Sequence, residues 1–412
     1  MTSLGLAACT ADTRGIANGT GAGGAGGDGS TVSAGGGSPG GSGGMEQVTP
    51  SLTRLGDTFE IPTIAAASPK RFVDVAYDPD QDGYLVVHGS AAIGGAFLDA
   101  EGAPRGAPFQ IAETTAWTQA PRTAYGGAAD GFLVAWHDTR EDGSLARLRG
   151  RLVKYDGAQA SFSGADFAIA SEPTHGEMPP GMAYSPTSQV FLVVWQRLDQ
   201  SDLRARRVTP AGQLVGEEIV LSSDPDWQSD AAVAWHPQRD EFCVVYSHAG
   251  AVTSILARCL AAGTGEVLGT PKTLTRASGT WLPQITWLPS TGGYLVGWYA
   301  GKLEARRLTA DLADDGASFA LFAGLGSYDG FALSAVSPEA GTIAAVMHGT
   351  TDEDWAGALV PSGDQSAPFE ATSSPGDEGN FNPRIAASTT RAEWLTVSAR
   401  GFATIVGQRL GR

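Results

Sequence analysis

Seven ring-bearing side chains, Phe72, Trp117, His175, Trp227, Trp281, Tyr328 and Phe381, return once per internal repeat of this 412-residue chain, each close before a short apolar run. Rings placed in that way offer faces that stack on sugar rings or on peptide side chains. Gln119, Glu177, Asp226 and Asp230 stand near them and offer hydrogen bonds. Trp117, His175, Trp227, Trp281, Tyr328 and Phe381 are therefore the ligand-binding candidates. The competing role is structural, because a ring locked to a repeat commonly packs between neighbouring units.

Other chemistry-bearing residues form weaker patterns. His88, His137, His248 and His348 each close a strand, but in repeats spread around the chain, so convergence on one metal is not expected and no cofactor is implied. The turn Asp78-Pro79-Asp80-Gln81-Asp82-Gly83 has the alternating carboxylates of half a calcium loop. It lacks the closing acid, since Val86 and Gly89 stand at the ninth and twelfth positions, and it reads better as a solvated hairpin turn. Asp138 and Glu177 could serve as a glycosidase pair, although nothing singles them out from other loop carboxylates. Outside the Gly/Ser-rich stretch 10–44 Gly-x-Ser-x-Gly does not occur, and His-Glu-x-x-His occurs nowhere, so no catalytic residue is assigned. Cys243 and Cys259 are candidates for a disulfide, being placed symmetrically about the loop between two strands.

The elements that must position these residues come from a repeat. Tyr84 to Val87, Phe132 to Trp136, Phe191 to Trp195, Phe242 to Tyr246, Tyr294 to Trp298, Ala344 to Met347 and Trp394 to Val397 are seven copies of one apolar run, about 52 residues apart. Each predicts a strand covered on both faces, here strand B. Strand A precedes it, as in Val75-Ala76-Tyr77 and Ile285-Thr286-Trp287, with Pro121, Pro180, Pro283 and Pro383 at its start. Strand C carries one small residue per copy, Gly95, Gly150, Ala205, Ala257, Ala305, Gly357 and Gly407, which suggests close approach by the neighbouring unit. Strand D, as in Phe109-Gln110-Ile111, has only six copies after strand C. Thr58-Phe59-Glu60-Ile61 matches the missing one.

Four-stranded units whose last member is completed by the N-terminus predict an all-β fold, a seven-bladed β-propeller of antiparallel blades, because ring closure leaves no open sheet edge. The rings then lie on D-to-A loops, on the face shared with the B-to-C loops. Leu192 to Trp195, Ala205 to Val208 and Gly212 resemble the repeats of exported bacterial propellers. That resemblance implies a fold family and no particular activity.

The formal charge of −17 repels phosphate backbones, so nucleic acid is not an expected partner. The near absence of lysine among the basic residues reads as genome composition rather than binding chemistry. Leu6-Ala7-Ala8-Cys9 resembles a bacterial lipobox, which implies lipidation at Cys9. Residues 10–44 are rich in Gly, Ala, Ser and Thr and predict a flexible tether. The expected organisation is a signal remnant at 1–9, the tether at 10–44 and a propeller at 45–412, with blades from about 56. The expected function is non-enzymatic binding of a protein or glycan ligand by a monomer, exported and lipid-anchored to the bacterial outer membrane or cell surface. The alternatives are a carbohydrate-active hydrolase or lyase, and a purely structural scaffold.

Overall fold

The chain divides into two units, Met1–Val48 and Thr49–Arg412, and the second holds every described residue. The computed structural model describes residues 53–65, 72–89, 92–112, 118–127, 131–138, 145–176, 178–198, 202–289, 291–321, 328–334, 344–349, 355–359, 369–371, 380–400 and 404–411. Cys9, the expected tether, Trp117 and Glu177 lie outside them. No helix among the described residues is long and apolar enough to cross a membrane.

The fold is an all-β propeller with four-stranded antiparallel blades, each ordered A-B-C-D. The first repeat runs Phe72–Asp78, Gly83–Gly89, Ile93–Asp99 and Phe109–Ala112; the fourth runs Trp227–His236, Glu241–Ala249, Thr253–Ala261 and Val267–Arg276. The second repeat adds a short strand, Ala160–Phe162, against strand C. In the last repeat Asn380–Ala387, Glu393–Arg400 and Thr404–Gly411 are followed in the sheet by the N-terminal strand Thr53–Ile61, with Phe59 opposite Gly407.

Strand B explains how the blades hold together. Its side chains alternate between two faces, as the pleat requires, and both faces are buried. Leu85 and Val87 pack on Phe132, Val134 and Trp136 of the next repeat. Tyr84 and Val86, their alternates, pack on Leu395 and Val397 of the last. The pattern recurs where Leu192 and Val194 meet Phe242, Val244 and Tyr246, and where Cys243 and Val245 meet Tyr294, Val296 and Trp298. Each such side chain contributes roughly 1.5–3 kcal/mol by burial. Strands A pack one against the next through the repeats, and that of the last also packs against that of the first.

The recurrent small residue on strand C has a different cause from the one the sequence suggests. In five of the seven repeats it stands opposite a strand D phenylalanine of its own blade: Gly95 faces Phe109, Gly150 faces Phe167, Ala305 faces Phe319, Gly357 faces Phe369 and Gly407 faces Phe59, whereas Ala205 faces Ile219 and Ala257 faces Lys272. A β-carbon on Gly95 would come within 2.7 Å of the Phe109 ring, and one on Gly407 within 2.8 Å of Phe59. At Gly95 and Gly407 the small residue makes room for a ring within its own blade rather than for the adjacent sheet.

The arginines are structural as well as compositional. Arg151 donates to the carbonyl of Ile111 at 2.6 Å, Arg258 to that of Leu221 at 2.6 Å and Arg306 to that of Leu274 at 2.9 Å. Each reaches from strand C to the end of strand D in the preceding repeat. A guanidinium, with five donors on a rigid fork, suits a tie between sheets better than a lysine ammonium does.

Candidate functional site

Strand A begins irregularly. In the repeats starting near Gln119, Ser229, Trp281, Tyr328 and Phe381 its pairing with strand B slips by a residue. Four non-glycine residues at these slips have left-handed backbone: Ala120 (φ 57°), Asp230 (φ 53°), Leu282 (φ 52°) and Asn382 (φ 51°). Such a conformation costs roughly 1–3 kcal/mol, so its repetition shows that the fold imposes it. Bulges re-aim the side chains that follow them. After the bulge and its proline come Arg122, Gln284 and Arg384.

These residues enclose a cavity of about 290 Å³ to which every repeat contributes, through Phe72, Arg122, Met178, Asp230, Leu282, Phe331 and Arg384. Its lining comes from the starts of strands A and the loops that precede them.

Three charged groups from adjacent repeats form one sector of this region. Asp74 Oδ1 lies 4.0 Å from Arg122 Nη1 and 3.8 Å from Arg384 Nε, while Asp74 Oδ2 accepts the Thr123 amide at 2.8 Å. The side chains retain only 11%, 15% and 14% of their exposure in the order Asp74, Arg122, Arg384. Burial pushes the Asp74 carboxyl up, and the two arginines and the Thr123 amide pull it back. Burial, and then the neighbouring Arg122, pull Arg384 well below the usual guanidinium value, while Asp74 works the other way. Arg122 is lowered by burial and supported by Asp74 alone.

Asp230 belongs to the fourth repeat and also lines the cavity. It accepts hydrogen bonds from the hydroxyls of Ser229 at 2.9 Å and Ser247 at 3.2 Å. Burial raises its carboxyl; these bonds, the Leu282 amide and the charge of His175 oppose the rise. A buried carboxyl held towards its neutral form in a cavity wall can give up or take a proton.

Among the ring candidates, Trp227 is 37% exposed and Trp281 is 49% exposed, so neither is a fully buried packing ring. Trp281 lies parallel to Tyr299, 6.1 Å between centroids, and directly precedes the lining residue Leu282. Trp227 stands three residues before Asp230 and meets the half-buried His175 edge to face at 5.0 Å. Tyr328 and Phe381 start strands A, and their side chains lie outside the description.

Among the described histidine side chains there is no convergence, and the side chain of His348 lies outside the description. His88 and His137 are buried in separate blades, and His248 faces Asp224 at 3.3 Å and Asp226 at 3.9 Å beside Trp227. The ligand atoms of this trio lie within 4.8 Å of one another, a cluster the sequence patterns do not pick out. The Asp78 carboxylate is turned onto the amides of Asp80 and Gln81 in its own hairpin, as a turn rather than a calcium loop requires. Cys243 and Cys259 face each other in register and are joined as a disulfide, with Cα atoms 4.1 Å apart.

The sequence patterns miss Arg122, Arg384 and Asp74. A usable signal was present in the Pro-Arg pairs at 121–122 and 383–384, matched by Pro283-Gln284 at the same point of strand A.

No family model matches this sequence, and none of the curated proteins matches it. Solved structures resemble the fold at low identity. A protein of unknown function from Dyadobacter fermentans is 14% identical, with 88% of this chain and 99% of that one covered, at a TM-score of 0.52. The β-propeller domain of Cps50 (Swd1) from Myceliophteria thermophila is 12% identical, with 85% and 99% covered, at 0.51. A polysaccharide lyase of family PL25, an ulvan lyase bound to -[GlcA(1-4)Rha3S]-, is 12% identical, with 84% and 95% covered, at 0.52. At these identities the likeness is one of fold alone.

Proposed function

We propose that this protein binds a glycan in the cavity at the start of strands A, with Trp227 and Trp281 stacking on sugar units at its rim. The observation that carries the reading is the combination of a cavity of about 290 Å³ walled by Arg122, Asp230, Gln284, Asn382 and Arg384 with two exposed indoles, one directly before the lining residue Leu282 and one three residues before Asp230. That volume is near the lower end for small-molecule sites, roughly 300 Å³. Polar groups fix the orientation of a sugar, and indole faces supply apolar area. A glycan array read with the wild type and with Trp227→Ala and Trp281→Ala tests this: binding that the two substitutions weaken is expected, and binding indifferent to both would place the ligand elsewhere.

A second reading is carbohydrate chemistry at Asp230, favoured by its burial and raised carboxyl in the same wall. The ulvan lyase illustrates that a fold of this kind carries such chemistry. Turnover of a bound glycan lost in Asp230→Asn, with binding retained, is the expected sign.

The proposal includes a ring of seven blades closed by the N-terminal strand. Supporting it are the pairing of Thr53–Ile61 with Thr404–Gly411 and the packing of the first strand A on the last. It also places the protein, as a monomer, outside the cytoplasm on a lipid attached at Cys9, with residues 10–44 as the tether. The Cys243–Cys259 disulfide accords with an oxidising compartment. Mass spectrometry of the N-terminal peptide from the native host tests the lipid.

A further inference from the structure

Two guanidinium groups and one carboxylate make an unequal set. Arg122 and Arg384 both face a single oxygen of Asp74, at 4.0 and 3.8 Å, distances longer than the roughly 2.7–2.9 Å of a charge-assisted hydrogen bond. The other oxygen of Asp74 is occupied by the Thr123 amide. Arg384 also donates Nη1 to the carbonyl of Pro383 at 2.9 Å, which satisfies a donor without neutralising a charge. Asp230 does not complete the set, since its electrostatic partner is His175 and neither arginine interacts with it appreciably.

Among the described side chains the sector therefore holds a surplus of one positive charge in a largely buried wall, within a chain of formal charge −17. A buried cation without a counter-charge is costly. Like charges this close oppose each other, as the lowering of Arg384 by Arg122 reflects. Strand C arginines elsewhere in the fold tie carbonyls of the preceding repeat. Arg122 and Arg384 instead line the cavity, re-aimed there by the bulges at Ala120 and Asn382.

We infer that Arg122 and Arg384 form the seat of a singly charged anionic group on the ligand, so that the glycan is an acidic one, bearing a carboxylate or a sulfate ester. This rests on the glycan reading above and narrows it. One negative charge balances the sector, and the planar guanidinium fork matches either oxyanion through paired hydrogen bonds. With the anionic group held between the second and seventh repeats, the sugar ring extends across the cavity toward Asp230 and Leu282.

The test is a glycan array carrying uronate, sialate, sulfated and neutral sugars, followed by titration calorimetry of the best binder against wild type, Arg122→Gln, Arg384→Gln and Trp281→Ala, with each variant's melting curve. The expected result is binding confined to anionic sugars, weakened about 10- to 100-fold by either arginine substitution and abolished when a uronate carboxylate is methyl-esterified. Hits among uronates and sialates alone assign a carboxylate, and hits among sulfated sugars alone assign a sulfate ester. If an arginine variant does not fold, methyl-esterification or desulfation of the ligand still decides the matter with the wild-type protein. Neutral sugars bound as tightly as charged ones, or binding indifferent to the arginines, would overturn this inference and leave the glycan reading standing. An array without any hit would overturn both.

Discussion

His137 gives the sharpest physical prediction outside the cavity. It ends strand B of the second repeat, is 1% exposed, and its Nδ1 lies 2.7 Å from the Thr174 hydroxyl. That hydroxyl donates its one proton to the carbonyl of Ala146 at 3.2 Å, so it accepts from the ring, and the network assigns the proton of the neutral ring to Nδ1. Charging the ring would add a second proton at a buried Nε2. Burial accordingly pulls the imidazole down to about 4, against the opposing effect of the Met178 backbone, and the charge of His175 lowers it further. The folded-state value lies below the unfolded value of roughly 6.5, so the unfolded chain binds the proton first. This contribution to stability is complete above about pH 6.5 and is lost as the pH falls from there towards 4. At roughly 1.36 kcal/mol per unit, the loss is about 2.5 kcal/mol by pH 4.5. Urea unfolding of the wild type and His137→Gln at pH 7.5 and 4.5 isolates it, because other titrating groups are common to both proteins. The wild type should be the more stable at pH 7.5, with its advantage shrinking by about 2.5 kcal/mol at pH 4.5. An advantage constant to within about 0.5 kcal/mol would refute the buried neutral imidazole.

Three further outcomes follow from the fold. Arg258→Ala removes the tie to the Leu221 carbonyl and should cost roughly 1.5–3 kcal/mol in chemical unfolding, with Arg258→Lys recovering only part of it; full recovery by lysine would deny the fork its role. Gly95→Ala puts a β-carbon against the Phe109 ring and should lower stability by about 1 kcal/mol, whereas an unchanged melting temperature would contradict the close approach. Opening the Cys243–Cys259 disulfide, which closes a separation of 16 residues, should cost about 3 kcal/mol, seen as a lower melting temperature for Cys259→Ser; no shift would count against a bonded native state.

The apolar runs were legible because each strand B is buried on both faces, which leaves an uninterrupted signal such as Phe191 to Trp195. The N-terminal match to strand D was legible for a related reason: Phe59 and Ile61 carry the same ring-then-aliphatic spacing as Phe109 and Ile111. Spacing does not say which sheet a small residue must accommodate, so Gly95 and Gly407 were assigned to the wrong neighbour. The ring candidates were legible only as a set. Trp227 and Trp281 differ from buried rings through local backbone and exposure, which the repeat does not encode. The arginine pair was hidden for a stronger reason. Arg122 and Arg384 are 262 positions apart in a chain whose other arginines sit more often on strand C than on any other strand, and only the bulges and the packing of strands A bring them to one carboxylate.

The central claim is that the cavity at the start of strands A seats an acidic sugar, and a crystal structure of the protein with its tightest-binding array glycan tests it most directly. The account predicts a sugar in the cavity, its anionic group within roughly 2.7–2.9 Å of nitrogen atoms on both Arg122 and Arg384. A glycan bound on the opposite face among the A-to-B hairpins, or one in the cavity with its anionic group turned away from both arginines, would contradict it.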